Sequence, residues 1–407
     1  MKPLFKRILG VWKLIVLFLF IFITFSYAMF QGGFVSWFLF YSFLPFAIYA
    51  VMISFYPLQS FSVERTFQKK EYNAGEMLKV QLTIKKRSAF PLLYLVIEDC
   101  LDKQLINSQQ RIGDAKILLF PGFRKEISWN YEVTHLRRGE HFFREIRLKI
   151  GDPLGLIEKE KRIPAHNKII VYPSYEELIY RPHVGQYEEG MTASKERVQR
   201  DTSMAIGIRN YQPGDKFSWI NWKATAKRND MMTKEFEQRQ SHDVYIFMDC
   251  TSNSRFEAIV SFTASLVRAV IRKGAQIGFF ANSSERISIP IRGGESQQQI
   301  IFHQLAKVRD DSQIAFERII QVEGASVMQG NNVMIMTAEL TSPLIESVGR
   351  LASGKGACTI YLLKNERESL TEAERALTAA ANVRGLRVVL VHDGHFSAVF
   401  SQEVANR

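Results

Sequence analysis

The sequence predicts two apolar N-terminal helices, then a β-sandwich-like domain, then a doubly wound α/β domain. Three observations carry that expectation. Residues 1–57 contain two long runs without charge, residues 58–172 alternate apolar and polar positions, and from Asp243 onward short β-runs alternate with longer amphipathic segments. A chain of 407 residues, 46% of them hydrophobic, can fill cores of that number and size.

The two apolar runs cover residues 14–30 (LIVLFLFIFITFSYAMF) and 34–56 (FVSWFLFYSFLPFAIYAVMISFY). Each approaches the roughly 20 residues that cross about 30 Å of hydrocarbon. A secretory signal fits the first run less well, because no small-residue cleavage site leads into polar mature sequence and a second apolar run follows at once. Lys2, Lys6, Arg7 and Lys13 precede the first run, the MFQGG connection is uncharged, and Arg65, Lys69, Lys70 and Lys79 follow the second. The expectation is a cell-membrane protein of two spans, with both termini and the soluble body cytoplasmic and the lipid bilayer as a partner.

Cysteine usage agrees with a reducing compartment: Cys100, Cys250 and Cys358 are few, odd in number and far apart, with no zinc-like spacing. Of the net charge of +12, the N-terminal flank supplies four, leaving about +8 on a body that faces anionic lipid. The basic clusters at 85–87 and 158–162 are short and lack interleaved aromatic residues, so no nucleic-acid partner is expected.

In residues 58–172 the run LKVQLTIKK places Leu78, Val80, Leu82 and Ile84 on one face of a strand. FPLLYLVIED, KEISWNYEV and HFFREIRLKIGDPLGLIEKEKRI are also β-rich, the last with a turn at 152–155. An antiparallel sandwich of about 110 residues fits. His135 and His141 fall in or beside strands, and no chemistry is assigned to them. Residues 173–202, rich in Pro, Gly, Glu and Tyr, read as a linker.

Residues 203–407 form the α/β domain. VYIFMD is a β-run, 255–273 a long amphipathic helix stopped by Gly274, and QIGFFA a second strand. Helix at 296–308, strand NVMIMT, helix at 343–352, strand CTIYLL, helix at 371–382 and strand LRVVLVH complete the cycle. Such alternation predicts a parallel sheet covered on both faces. Ligands of such sheets bind beyond the carboxyl ends of the strands. The first strand runs into Asp249 and CTSNS, so Asp249, Thr251, Asn253 and Ser254 crowd one loop. One carboxylate with hydroxyl and amide oxygens suits Mg²⁺ or another hard divalent cation. The plainer reading is that Thr251, Ser252, Asn253 and Ser254 are acceptable N-caps for the following helix and that Asp249 simply bonds its own turn.

The stretch RNYQPGDKFSWINWKATAKRNDMMTKEFEQ, followed by a β-run ending in DCTSNS, resembles the bacterial "domain of unknown function 58" family. GDPLGL at 151–156 and LRRGEHFF at 136–143 resemble motifs that precede that family's main domain. The resemblance implies a membrane anchor and a von Willebrand factor A-like C-terminal domain. It also implies a non-enzymatic adaptor, working with a MoxR-type AAA+ ATPase and a transglutaminase-like membrane protein in assembling cell-envelope or other complexes. The metal motif of von Willebrand A-like domains is Asp-x-Ser-x-Ser, with a Thr and an Asp on later loops. Asp249 and Thr251 match it, whereas Asn253 replaces the second Ser and Thr337-Ala338-Glu339 stands where a Thr-Asp pair is usual. The implied ligand set is therefore Asp249, Thr251, Asn253 and Glu339. Ser296 is the candidate for the separate loop hydroxyl.

Within the signature stretch, Arg209, Tyr211, Gly214 and Asp215 are expected to form a strand and tight turn, with Asp215 capping the segment SWINWKATAKR. Trp219 and Trp222, three apart, share a face if that segment is one helix. These six residues are the candidate partner-binding surface, since Trp and Arg are enriched among interface anchors. The plainer reading is that the segment covers an edge of the sheet. Two other functional classes stay open: a structural envelope protein without ligand, and a cysteine enzyme using Cys250 with His242 or His303 as base.

Overall fold

A computed structural model of the chain describes residues 2–101, 105, 115–180, 199–212, 215–239, 243–327, 332–352 and 358–399. The chain forms two units, Met1–Tyr172 and Pro173–Arg407.

The first unit opens with helices α1 (Lys2–Gln31) and α2 (Phe34–Phe55), turned at Gly32 with φ +59°. Among the described residues only α2 is long and apolar enough to cross a membrane. The apolar part of α1, Ile15–Gln31, is shorter, and at 1.5 Å per residue it reaches only about 26 Å. This overturns the expected two-span hairpin, and the multi-pass localisation drawn from it falls too. The last turns of α2 pack on the domain that follows, with Ala47, Ala50 and Ile53 in the same core as the strands. Lys159 Nζ donates to the Ser54 and Tyr56 carbonyls at 2.8 and 2.7 Å, placing a cation at the helix's negative end.

Among the described residues, eight strands form two sheets. One contains β1 (Phe61–Phe67), β3 (Leu78–Lys86) and β6 (Glu126–Val133) in the order β1-β3-β6. The other contains β2 (Glu71–Asn73), β4 (Leu95–Asp99), β5 (Lys116–Leu119), β7 (Gly139–Gly151) and β8 (Glu158–Tyr172) in the order β2-β8-β7-β4-β5. All pairs are antiparallel except the short β2–β8 pair. Leu78, Val80, Leu82 and Ile84 are buried in one core with Leu95, Ile97, Ile146, Leu148 and Ile150.

The period-two pattern did not reveal the polar group inside this core. Arg65 on β1 meets Asp99 on β4 through two bonds, Nη2 to Oδ1 at 2.6 Å and Nε to Oδ2 at 2.9 Å, and both side chains are fully buried. Tyr131 Oη on β6 donates to Asp99 Oδ2 at 2.6 Å. Arg65 Nη1 also reaches the Ala165 carbonyl at 2.7 Å, and its guanidinium lies 4.9 Å from the Phe143 ring centroid. Burial, followed by the Asp99 charge, raises the Tyr131 pKa, so its phenol stays a neutral donor.

The 151–156 motif is structural. Asp152 is 1% exposed, and its carboxylate accepts from the backbone N–H groups of Leu154 and Ile157, closing the β7–β8 turn. A Cβ at Gly151 would lie 2.1 Å from Tyr94 Oη and 2.7 Å from the Ile157 carbonyl oxygen. Gly151→Ala is therefore expected to cost about 1–3 kcal/mol through overpacking. Urea unfolding of the two forms checks this, and equal midpoints would refute it.

In the second unit, residues 173–180 lie along the α/β domain rather than forming a free linker. The Glu176 N–H donates to Ser265 Oγ at 2.9 Å, Arg268 covers the Tyr175 ring, and Leu178 and Tyr180 are buried. Residues 181–198 of the expected linker lie outside the described residues, and 199–202 begin β9 (Gln199–Asn210). β9 pairs antiparallel with β10 (Met232–Arg239) as a separate two-stranded ribbon, with the short helix α3 (Trp222–Arg228) between them.

The main sheet has six strands: β11 (Val244–Met248), β12 (Ile277–Asn282), β13 (Arg286–Arg292), β14 (Asn332–Thr337), β15 (Cys358–Lys364) and β16 (Arg387–His392). Their order is β13-β12-β11-β14-β15-β16. The pairs are parallel except for β13, an antiparallel edge strand that the sequence reading did not separate. It contains Pro290, which edge strands tolerate. The helices are α4 (Phe256–Arg272), α5 (Glu295–Lys307), α6 (Phe316–Val327), α7 (Ser342–Ala352) and α8 (Glu372–Val383). α6 is the second element the reading missed. Ile360 and Leu362 face α6, α7 and α8, while the intervening Tyr361 meets Phe262 of α4, so helices cover both faces.

Candidate functional site

β12 and β13 lie to one side of β11, and β14 to β16 lie to the other. The carboxyl ends of β11 and β14 therefore flank the point where strand order reverses, which is where open α/β sheets hold ligands. Asp249 follows β11 and Thr337 ends β14, and the Asp249 N–H donates to the Met336 carbonyl at 2.9 Å.

Asp249 is 7% exposed. Its Oδ1 accepts from Thr251 N at 2.9 Å and from Thr251 Oγ1 at 2.8 Å. Its Oδ2 accepts from Thr337 Oγ1 at 2.8 Å, and Thr337 Oγ1 in turn accepts from the Glu339 N–H at 3.1 Å. Burial raises the Asp249 pKa, the Thr251 and Thr337 hydrogen bonds act in the opposite sense, and the Glu339 charge adds to the rise. No cation contributes to that balance among the described residues.

The four implied ligands do come together, in unequal roles. Asn253 spends its amide oxygen on the Arg255 N–H at 2.9 Å, and its Nδ2 donates to Glu339 Oε1 at 2.9 Å. It organises the loop and positions the exposed Glu339 carboxylate. The α4 N-cap position, Arg255, makes no side-chain cap bond, but Asn253 accepts from its N–H, and the Asp249 bonds to the Thr251 N–H and hydroxyl hold the turn as the plainer reading expects. Thr337, outside the implied ligand set, is in direct contact with Asp249; its place at the end of a β-run was the available signal. Among the described residues no three His, Cys, Asp or Glu side chains group as metal ligands. The oxygens that could hold a hard cation are therefore those of Asp249, Thr251 and Thr337, with Glu339 beside them.

Ser296 lies at the wrong end of the sheet. It opens α5 next to Gln297, whose Nε2 donates to the carbonyls of Ile277 and Pro290, at the amino end of β12. β13 returns the chain to that end before α5 begins. The loop after α5 reaches the crevice instead, where the Ser312 N–H donates to the Cys250 carbonyl at 3.0 Å. Cys250 itself is 1% exposed, with Sγ 3.7 Å from the Met248 carbonyl. His242 lies outside the described residues, and His303 lies on α5.

The second candidate surface is the crossing of the β9–β10 ribbon. Arg209 clamps Asp215 in two bonds of 2.8 and 2.7 Å, and the Gln212 N–H donates to Asp215 Oδ2 at 3.0 Å. These partners, Arg209 first, hold the Asp215 carboxyl below its ordinary pKa. Asp215 thus closes the turn and does not cap α3; that role falls to Asn221, whose Oδ1 accepts from the Ala224 N–H at 3.2 Å. Trp219 ends a 3-10 turn, Phe217–Trp219, and Trp222 starts α3, so they do not share one helix face. The break between them follows from Ile220, which bridges to Thr233 of β10 and must stay extended. Tyr211 N–H bonds the Met231 carbonyl across the ribbon, and Gly214 lies outside the described residues. Phe217, Trp222 and Ile208 are 72%, 66% and 48% exposed.

Residues 207–404 match the family described as "Protein of unknown function DUF58". Over 391 residues the chain is 38% identical to "Uncharacterized protein YeaD" of Bacillus subtilis (strain 168), covering 95% of this chain and 97% of that protein. The chain belongs to the DUF58 family. The DUF58 match begins within β9 and takes in both the ribbon and the Asp249 crevice. Among solved structures, the CARDB domain of the PF1109 protein from Pyrococcus furiosus is 12% identical with a TM-score of 0.20, over 27% of this chain and 91% of that one. Proximal thread matrix protein 1 from the mussel byssus is 14% identical with a TM-score of 0.28, over 40% of this chain and 46% of that one. These scores are too low to assign a fold.

Proposed function

We propose that this DUF58 chain is a non-enzymatic adaptor whose second unit is von Willebrand factor A-like and binds protein partners at two places, the Asp249 crevice and the exposed tip of the ribbon. The observation that carries the reading is the Asp249 carboxylate. It is buried at the strand-order reversal, joined to two hydroxyls and paired with no cation among the described residues. An uncompensated buried charge is costly, and a bound cation would offset that cost. Asp249, Thr251 and Thr337 would hold Mg²⁺ or another divalent cation, with Asn253 fixing Glu339 beside it. When bound, the cation would supply a positive charge that accepts a carboxylate from the partner. The sheet order, with an antiparallel edge strand beside β12, supports the von Willebrand A-like reading.

The partner proposed is a MoxR-type AAA+ ATPase, with a transglutaminase-like membrane protein as a further component, as the family resemblance implies. The cysteine-enzyme reading gains nothing from a thiol at 1% exposure. The ribbon is tested by Trp222→Ala with Phe217→Ser in the full chain. Both side chains are mostly exposed, so the melting temperature is expected to hold. Loss of an anchor worth about 2 kcal/mol would weaken retention of the purified ATPase roughly 30-fold. Unchanged retention would remove the ribbon from the interface.

A further inference from the structure

We infer that two Phe-Pro turns of the first unit, at residues 90–93 and 120–123, form a bilayer-surface contact that seats this domain among lipid headgroups beside α2. The first observation is exposure. Phe120 and Phe123 are 75% and 74% exposed on one tight turn, with Leu118 and Leu93 at 52% and 45%. Soluble surfaces seldom leave such a patch uncovered.

The second observation is how the turns are fastened. Leu92 and Gly122 exchange backbone hydrogen bonds of 3.0 and 2.9 Å. Lys86 Nζ donates to the carbonyls of Phe90 and Gly122 at 2.7 and 2.8 Å, so the two turns form one rigid tip. That tip is bonded to α2: Tyr49 Oη donates to the Pro91 carbonyl at 3.3 Å and accepts from the Leu93 N–H at 3.0 Å. The Phe90 ring stacks on Tyr49 with centroids 5.7 Å apart.

The third observation is depth. Tyr49 lies six residues before the end of α2 at Phe55, about 9 Å along the axis. A helix of 22 residues has little length to spare across about 30 Å of hydrocarbon. With α2 inserted, a tip bonded to Tyr49 must therefore enter the headgroup and upper acyl region. Aromatic side chains favour that level, and amphipathic surfaces enter it to a depth of about 5–10 Å. Exposed apolar side chains of α2 continue the apolar surface, with Phe46, Ile48 and Met52 at 46%, 51% and 53% exposure. Arg87, Arg124 and Lys125, exposed beside the same turns, match anionic headgroups.

The test uses the full chain reconstituted in phosphatidylcholine–phosphatidylglycerol vesicles whose acyl chains are brominated near the headgroup end. Phe123→Trp adds one indole at an exposed site, and the difference from wild type isolates its emission. That emission should be blue-shifted, quenched at least about twofold by brominated lipid, and nearly unaffected by iodide. A variant that keeps Trp37 as its single tryptophan reports insertion of α2 in the same vesicles. Iodide quenching of the added indole without lipid quenching would overturn the contact. So would shielding from both quenchers, which would mean that a protein covers the tip, or a Trp37 indole on α2 that brominated lipid leaves unquenched. None of these outcomes bears on Asp249, so this inference and the adaptor reading fail separately.

Discussion

Asp99→Ala is expected to destabilise the first unit by about 3–5 kcal/mol, the largest single-residue effect in the chain, because it strands a guanidinium inside a β core. Arg65 has no exposed side-chain surface, and without Asp99 it keeps, among the described residues, only the Ala165 carbonyl, the Asn167 amide oxygen and the face of Phe143. Tyr131 loses its acceptor in the same step, adding an unsatisfied buried hydroxyl. The pair Asp99→Leu with Arg65→Met removes both charges together, and the cost should fall well below that of the single change. Urea unfolding reads both variants by fluorescence in a background that keeps Trp129 as the single tryptophan, since its ring lies 4.9 Å from that of Tyr131. A cost under about 1 kcal/mol for Asp99→Ala, or a double variant as unstable as the single, would show that the pair does not join the sheets in this way.

Asp249→Asn is expected to abolish partner retention while leaving the apo protein as stable as wild type or more so. Asparagine keeps Oδ1 for the Thr251 donors, and its Nδ2 can donate to the Thr337 hydroxyl, whose proton then goes to the Glu339 carbonyl 3.0 Å away. The charge that burial penalises is gone. The pH dependence has a definite sign. Asp249 has a raised folded-state pKa, so its contribution to stability is full below the unfolded pKa and is lost as pH rises through the folded one. The stability gain of Asp249→Asn over wild type should be absent below the unfolded pKa, grow as pH rises from there, and level off above the folded-state pKa. Mg²⁺ should narrow that gap at neutral pH by stabilising wild type alone. Asp249→Ala, which takes the acceptor from the Thr251 N–H and hydroxyl while Thr337 turns to the Glu339 carbonyl, should cost about 1–3 kcal/mol instead. Partner retention that survives Asp249→Asn and EDTA, with no effect of Mg²⁺ on wild-type melting, would sink the cation-assisted contact.

Local order was legible wherever a residue's own neighbours decide it. NVMIMT is the full extent of β14, the alternation of Leu78 to Ile84 marks the buried face of β3, and Gly274 at φ +77° follows α4 as the helix-stop pattern requires. The crevice was partly legible, because Asp249 ends a β-run and ligand loops follow such ends. β13 was missed because its length and its Pro290 suit an edge that only neighbouring strands define. The Ser296 assignment failed because distance along the chain does not show which end of a sheet a helix starts from.

Most of the strands and helices, the division into a β-rich part and an α/β part, and the residue types at the first-strand loop are therefore readable from the chain itself. These follow from periodicity and turn chemistry acting over a few residues. Packing alone brings Arg65 to Asp99 across 34 positions and Thr337 to Asp249 across 88. It also decided that Asn221 rather than Asp215 caps α3, and that the end of α2 is bound into the β core instead of standing free in lipid. Such pairings depend on strand order and register. A buried charge or hydroxyl takes whichever partner the packed elements bring within about 3 Å, and no local pattern records that choice.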